Sequence, residues 1–189
     1  MIAMFTDHLS IENVVVVGIS MGGAIALEFA LDFKARTERL ILINTFASLR
    51  PRKINEMIYL GSRFAVANLR GKDYQSRMVA QRLFPKPEQE RLRAEIAIRI
   101  KQSDARVYRS AMWSLGLFNA RNRLGDIKTP TLVITGAQDS TVGMDNQMEL
   151  VRGISGTQHV IIQNAGHAVI ADQPELVNHH IIRFIGESL

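Results

Sequence analysis

The stretch Val14–Ala30, VVVVGISMGGAIALEFA, runs four valines into a glycine, passes a single serine, and continues in small and apolar residues. A β-branched run without polar alternation predicts a buried strand. After Met21, the residues Ala24, Leu27, Ala30 and Leu31 recur at helical spacing and predict a helix. Between strand and helix, Gly18-Ile19-Ser20-Met21-Gly22 reads G-x-S-x-G, in the strand-turn-helix setting where that pattern carries chemistry. The logic is steric. A very tight turn holds the serine at strained backbone angles and lifts its hydroxyl clear of the sheet, while glycines at 18 and 22 let strand and helix approach without Cβ collisions.

Working outward, Leu40–Ile43, Leu132–Ile134 and Val160–Ile162 are further short apolar runs that predict buried strands of a parallel sheet covered on both faces. The first two strands with the helix between them have βαβ length. Near the C-terminus, Asp172 with Glu175 has capping-box spacing and Pro174 suits a first helical turn, so the chain is expected to end in a helix of about four turns. From about Ala47 to Asp126 no buried strand is evident. RKINEMIYLGSRFAVANL, KDYQSRMVAQRLF and PEQERLRAEIAIRIKQSDARVYRSAMWSLGLF read as helices, the last splitting in two near Ser103-Asp104.

Composition bounds the function. With 189 residues, 47% hydrophobic and 22% charged, the chain has the balance of a soluble globular domain. No apolar run approaches the roughly 18 residues that span a bilayer, and Asp7 and His8 break any signal-peptide pattern, so a cytoplasmic protein without membrane contact is expected. There is no cysteine, which excludes disulfides, thiolate metal sites and cysteine nucleophiles. The formal charge of +5 is uneven: Phe46–Lys128 holds 18 Lys/Arg against 7 Asp/Glu. These cations lie at helical spacing without aromatic interleaving or glycine-rich loops, which predicts solvated helix faces and no nucleic-acid partner.

A serine hydroxyl becomes a nucleophile when a base takes its proton, and the base needs an acid to orient it. TLVITGAQD places Asp139 just past one predicted strand, and HVIIQNAGH places His167 in a loop just past the next. Asp145 lies further from the strand end and Asp126 precedes the strand, so both are weaker candidates for the acid. His8, His159, His179 and His180 fall in predicted helices or strands and read as structural. No HExxH-type spacing is present, and neither metal nor cofactor is expected.

The chain order Ser20, Asp139, His167, each at a strand end, resembles the α/β-hydrolase family. GISMGG, TPTLVITGAQD, NAGH and QPELVNHHIIRFI carry the likeness. The resemblance implies an α/β fold with a mostly parallel sheet, flanking helices and a helical cap: core 1–45 and 127–189, cap 46–126. It implies a serine hydrolase acting on a small-molecule ester, lactone or related acyl substrate. Ser20 would be nucleophile, His167 base and then acid, Asp139 the orienting acid, and the backbone N–H of Met21 one oxyanion donor. Asn44 stands where some members carry the acid, but an amide cannot hold an imidazolium. Met57, Trp113 and Phe118 are candidates for the wall of an acyl pocket.

The resemblance also places Val14–Val17 at the family's fifth strand. An N-terminally truncated version of the fold is therefore expected, without the first four strands or the loop that supplies a second oxyanion donor. Two consequences are expected: self-association through an exposed Val14–Val17 edge, and, as an alternative to catalysis, an incomplete fragment whose triad is idle.

Overall fold

The structure is a computed structural model that describes residues 2–49, 58 and 71–187. Helix α1 (Ile2–His8) precedes strand β1 (Val14–Ile19), helix α2 (Met21–Asp32) and strand β2 (Thr37–Ile43). Helices α3 (Gly71–Leu83), α4 (Glu90–Gln102) and α5 (Ala105–Leu117) follow. The chain then forms β3 (Thr131–Gly136), α6 (Met144–Gly153), β4 (Gln158–Ile162), the short α7 (Val169–Asp172) and α8 (Pro174–Gly186). The four strands form one sheet in the order β1-β2-β3-β4, every pair parallel.

Two compact units result: Met1–Ser48 with Phe118–Leu189, and Leu49–Leu117. The first holds the sheet. Alternation along β2 sends Leu40 and Leu42 to one face, against α2 residues Ala26, Leu27 and Ala30 and α6 residues Leu150 and, just beyond its end, Ile154. Ile41 and Ile43 go to the other face, against Val169, Val177 and Phe184 of α7 and α8. Each such Leu or Ile stabilises the fold by about 1.5–3 kcal/mol relative to exposure. Ala47, Ala120 and Leu124 belong to this core as well, so its boundaries reach inside the 46–126 span expected for the cap. Phe118, expected in a pocket wall, packs edge-on against Phe46 with ring centroids 6.1 Å apart and leans on the same core. A large aromatic at the rim of an apolar cluster gains more by closing it than by facing solvent.

The inner strands β2 and β3 are buried almost throughout, but the edge strands are not. In β4, Ile161 is 43% exposed, so Val160–Ile162 is a half-covered edge and not the buried strand its composition suggests. In β1, Val17 is 48% exposed although it shares a face with Val15 and Ile19, which pack on the core. Among the described residues no strand pairs with the outer edge of β1. The segment before it is tied down by Arg36, which donates to Asp7 Oδ1 at 2.6 Å, Thr6 Oγ1 at 2.6 Å and the Ile11 carbonyl at 2.9 Å.

The C-terminal capping box does not form. Gln173 is the residue before α8, with Pro174 at its first position, while Asp172 closes α7 and its carboxylate accepts from the Gly166 N–H at 3.3 Å. The short α7 occupies the residues that would otherwise lead into a cap.

In the second unit, the break expected near Ser103-Asp104 separates α4 from α5. Lys101 of α4 meets Asp73 of α3 at 2.7 Å, and this pair holds the Asp73 carboxyl below its ordinary value. Arg93 donates to the carbonyls of Phe84 and Lys86 at 2.9 and 2.6 Å, pinning the connection between the two helices. Trp113 on α5 is 62% exposed. The helix read from residues 52–69, and Met57 with it, lie outside the described residues apart from Ile58.

Two glycines in the elbow are sterically required. A Cβ on Gly18 would stand 2.3 Å from the Gly22 carbonyl oxygen, and one on Gly23 would stand 2.4 Å from Thr45 Oγ1. Gly22, expected to be crowded, has nothing within 4 Å of a Cβ, so the close approach is made one residue later, at Gly23. Gly18→Ala is therefore expected to cost about 3 kcal/mol in urea unfolding, and Gly22→Ala less than about 0.5 kcal/mol. Equal costs would mean that the turn does not depend on that approach.

Candidate active site

Parallel strands in sequence order deliver their C-terminal ends to one end of the sheet, so the residues that follow β1, β2, β3 and β4 become neighbours. Those residues include Ser20, Asn44, Asp139 and His167.

Ser20 lies between β1 and α2 at φ 51°, ψ −118°, a left-handed backbone that costs a non-glycine residue on the order of 1–3 kcal/mol. The strain is held from both sides. Its N–H donates to the Ile43 carbonyl at 3.0 Å, and its carbonyl accepts from the Gly23 N–H at 3.0 Å and from Thr45 Oγ1 at 2.6 Å. A serine before a helix ordinarily caps it through its hydroxyl. Ser20 makes no such cap bond, and its Oγ lies 2.9 Å from His167 Nε2 instead.

His167 is buried, with Nδ1 2.8 Å from Asp139 Oδ2. A carboxylate can only accept, so Nδ1 carries the hydrogen of the neutral ring and Nε2 is left to accept from the Ser20 hydroxyl. Asp139 is fixed in turn: its Oδ1 accepts from the backbone N–H groups of Thr141 and Val142 at 2.8 and 2.9 Å. The structure thus brings together the three side chains that the sequence singled out. Met21 is the first residue of α2, where helical N–H groups have no intrahelical carbonyl to meet.

The weaker candidates lie elsewhere. Asp126 ends the 3-10 turn Arg121–Asp126 before β3, and Asp145 sits in the first turn of α6. His159 bonds Thr135 Oγ1 through Nε2 at 3.0 Å, and burial lowers its pKa. His8 is on α1, and His179 and His180 are on α8 with their rings edge-to-face. Among the described residues no cluster of His, Asp or Glu is arranged to hold a metal ion, and no helix is long and apolar enough to cross a membrane.

Of two further polar residues at the site, one escaped the sequence reading and the other was considered there only as an acid and set aside. Gln147 on α6 is fully buried, its Nε2 3.3 Å from Asp139 Oδ2 and 3.0 Å from the Val142 carbonyl. Its signal was a glutamine on the apolar stripe that includes Leu150 and Ile154, where a hydrophobe would ordinarily stand. The other is Asn44, fully buried at φ 43°. Its Nδ2 donates to the carbonyls of Gly166 at 2.9 Å and His167 at 2.7 Å, and its Oδ1 accepts from the Gly136 N–H at 2.7 Å. A polar residue closing the apolar run Leu40–Ile43 was the available signal.

Known proteins show the same arrangement of chain. The family model described as alpha/beta hydrolase fold matches residues 1–174. The AB hydrolase superfamily protein YisY of Bacillus subtilis is 28% identical, over 93% of this chain and 68% of its own length. The 3-oxoadipate enol-lactonase 2 of Acinetobacter baylyi is 31% identical, over 93% of this chain and 64% of its own. The crystal structure of the enol-lactonase from Burkholderia xenovorans LB400 superposes with a TM-score of 0.86 at 25% identity, covering 97% of this chain and 69% of that one. The chain spans about two thirds of the length of the curated relatives it matches. With a family match over most of the sequence and a parallel sheet of the same design, this chain belongs to the alpha/beta hydrolase fold family.

Proposed function

We propose that this chain is a serine hydrolase that cleaves a small-molecule carboxylic ester, lactone or related acyl substrate through a covalent acyl-enzyme, without a cofactor. The observation that carries the reading is the continuous line Ser20 Oγ, His167 Nε2, Asp139 at 2.9 and 2.8 Å, within the range for proton transfer. The enol-lactonase relatives support the ester and lactone class.

In this reading Ser20 Oγ attacks the acyl carbon while its proton passes to His167 Nε2, and Asp139 stabilises the imidazolium without taking the proton. The carbonyl oxygen gains the negative charge and meets the Met21 N–H at the start of α2. Collapse of the tetrahedral adduct breaks the bond to the leaving oxygen, which takes the proton from Nε2 and departs as an alcohol or enol. A water then gives its proton to Nε2 and attacks the acyl carbon. The second collapse releases the acid and returns the proton to Ser20.

Stoichiometric reaction with a fluorophosphonate, located by peptide mass spectrometry, tests the assignment. The label is expected on Ser20 and on no other serine, because an unactivated hydroxyl reacts slowly. Label that persists in Ser20→Ala would place the nucleophile elsewhere.

A further inference from the structure

The residues that leave β2 touch both partners of the proton transfer. The Ile43 carbonyl accepts from the Ser20 N–H, and the Thr45 hydroxyl donates to the Ser20 carbonyl. Between them, the Asn44 carboxamide spans from the end of β3 to the loop that carries His167, using both N–H donors and its oxygen, each on a backbone group. The backbone N–H of Asn44 donates to the Ile134 carbonyl at 3.0 Å, so the base of the clasp is itself part of the ladder between β2 and β3.

The surroundings leave no slack. A Cβ on Gly136 would stand 2.5 Å from the Gly166 carbonyl oxygen and 2.7 Å from that of Ala165, so the histidine loop lies directly on the end of β3. The loop is held there by the Gln138 N–H on the Ala165 carbonyl at 2.9 Å, and by Asp172 on the Gly166 N–H. These bonds fix the loop up to Gly166. The clasp from Asn44 is the contact that reaches the backbone of His167 itself. An asparagine suits the place because it tolerates a positive φ and offers two donors and an acceptor on one short, flat group. An aspartate would set an oxygen against two carbonyl oxygens and leave both buried carbonyls without their donor.

We propose that Asn44 is a positioning residue: by clasping the His167 carbonyl it sets the imidazole Nε2 at proton-transfer distance from Ser20, while its neighbours Ile43 and Thr45 hold the serine from the other side. This inference rests on the serine-hydrolase reading above. Asn44 touches no reacting atom, so its whole effect is on where the base stands.

The test uses the 189-residue chain, Asn44→Gly and Asn44→Asp, each treated with a fluorophosphonate. Both the labelled fraction and the rate constant per labelled site are measured, together with the thermal transition. Asn44→Gly removes the clasp while relieving the positive φ, and Asn44→Asp keeps the shape and the acceptor to Gly136 but not the donors. Displacing the base by about 1 Å is expected to lower the rate constant per site about 10²-fold in both variants, with Asn44→Gly still showing a cooperative transition. A merely structural asparagine would lower the labelled fraction and the transition temperature, but leave the rate per site within about threefold of the parent chain; that result overturns the proposal. If one variant fails to fold, the rate constant in the other decides. Parent chain that takes no label at Ser20 would overturn the serine-hydrolase reading, and the positioning role with it.

Discussion

Asp139→Asn is expected to lower kcat for a p-nitrophenyl ester by about 10⁴-fold, and Ser20→Ala by at least as much. The argument for Asp139 starts at the oxygen that faces away from the histidine. Oδ1 accepts two backbone N–H groups, from Thr141 and Val142, so an asparagine at 139 must turn its carbonyl oxygen to them. Its NH₂ group then faces His167 Nδ1, which has to accept. That moves the ring hydrogen to Nε2 and points an N–H at the Ser20 oxygen, so the base is lost with almost no change in shape. Gln147 Nε2 also donates to the Val142 carbonyl, so turning its amide to offer an oxygen to the new NH₂ group gives up that bond, and a modest loss of stability with the fold kept is expected. Steady-state kinetics beside a thermal melt checks both statements. An Asp139→Asn enzyme within about tenfold of the parent kcat would remove Asp139 from the mechanism and leave the tautomer of His167 set by something else.

The second large effect concerns association. The 189-residue chain in isolation is expected to form dimers or larger species through β1, and Val17→Lys is expected to shift it towards monomer. Among the described residues no strand meets the outer edge of β1, whose side chains include no proline and no charge within Val14–Ile19. Such an edge is a template for another strand. Met4, Phe5 and Leu9 of the N-terminal segment, and Ile25 of α2, are exposed in the same stretch of sequence as Val17. A lysine at 17 places a charge that a second apolar edge cannot bury without a partner. Light scattering on a size-exclusion column reads the outcome. A parent chain that runs as a sharp monomer at tens of micromolar would mean that the edge is protected in solution.

Much of the fold could be read from local pattern because its signals are local. Four apolar runs became four strands, and Ser103-Asp104 marked a true helix break because serine and aspartate bond nearby backbone groups in competition with the helix. The same locality explains the errors. Asp172 and Glu175 have the spacing of a capping box, yet the aspartate is drawn to the histidine loop, a partner that no window of neighbouring residues contains. Val160–Ile162 has the composition of a buried strand, but burial depends on which strand stands beside it, and β4 is an edge.

The sequence by itself determined the strand-turn-helix at Ser20 and the strand-end places of Asp139 and His167, because strand periodicity, glycine and serine chemistry act over a few residues. Tertiary structure alone decided which groups hold them. Ser20 and His167 are 147 residues apart in sequence, and Asn44 reaches its two loop carbonyls across 122 and 123 residues. Which backbone carbonyl lies at the end of a neighbouring strand follows from strand order and register. The crowding that makes Gly23 necessary, and leaves Gly22 free, likewise comes from Thr45 on the adjacent strand end. Each residue's own chemistry was legible along the chain, but its hydrogen-bond partner became definite when four parallel strands brought their ends together.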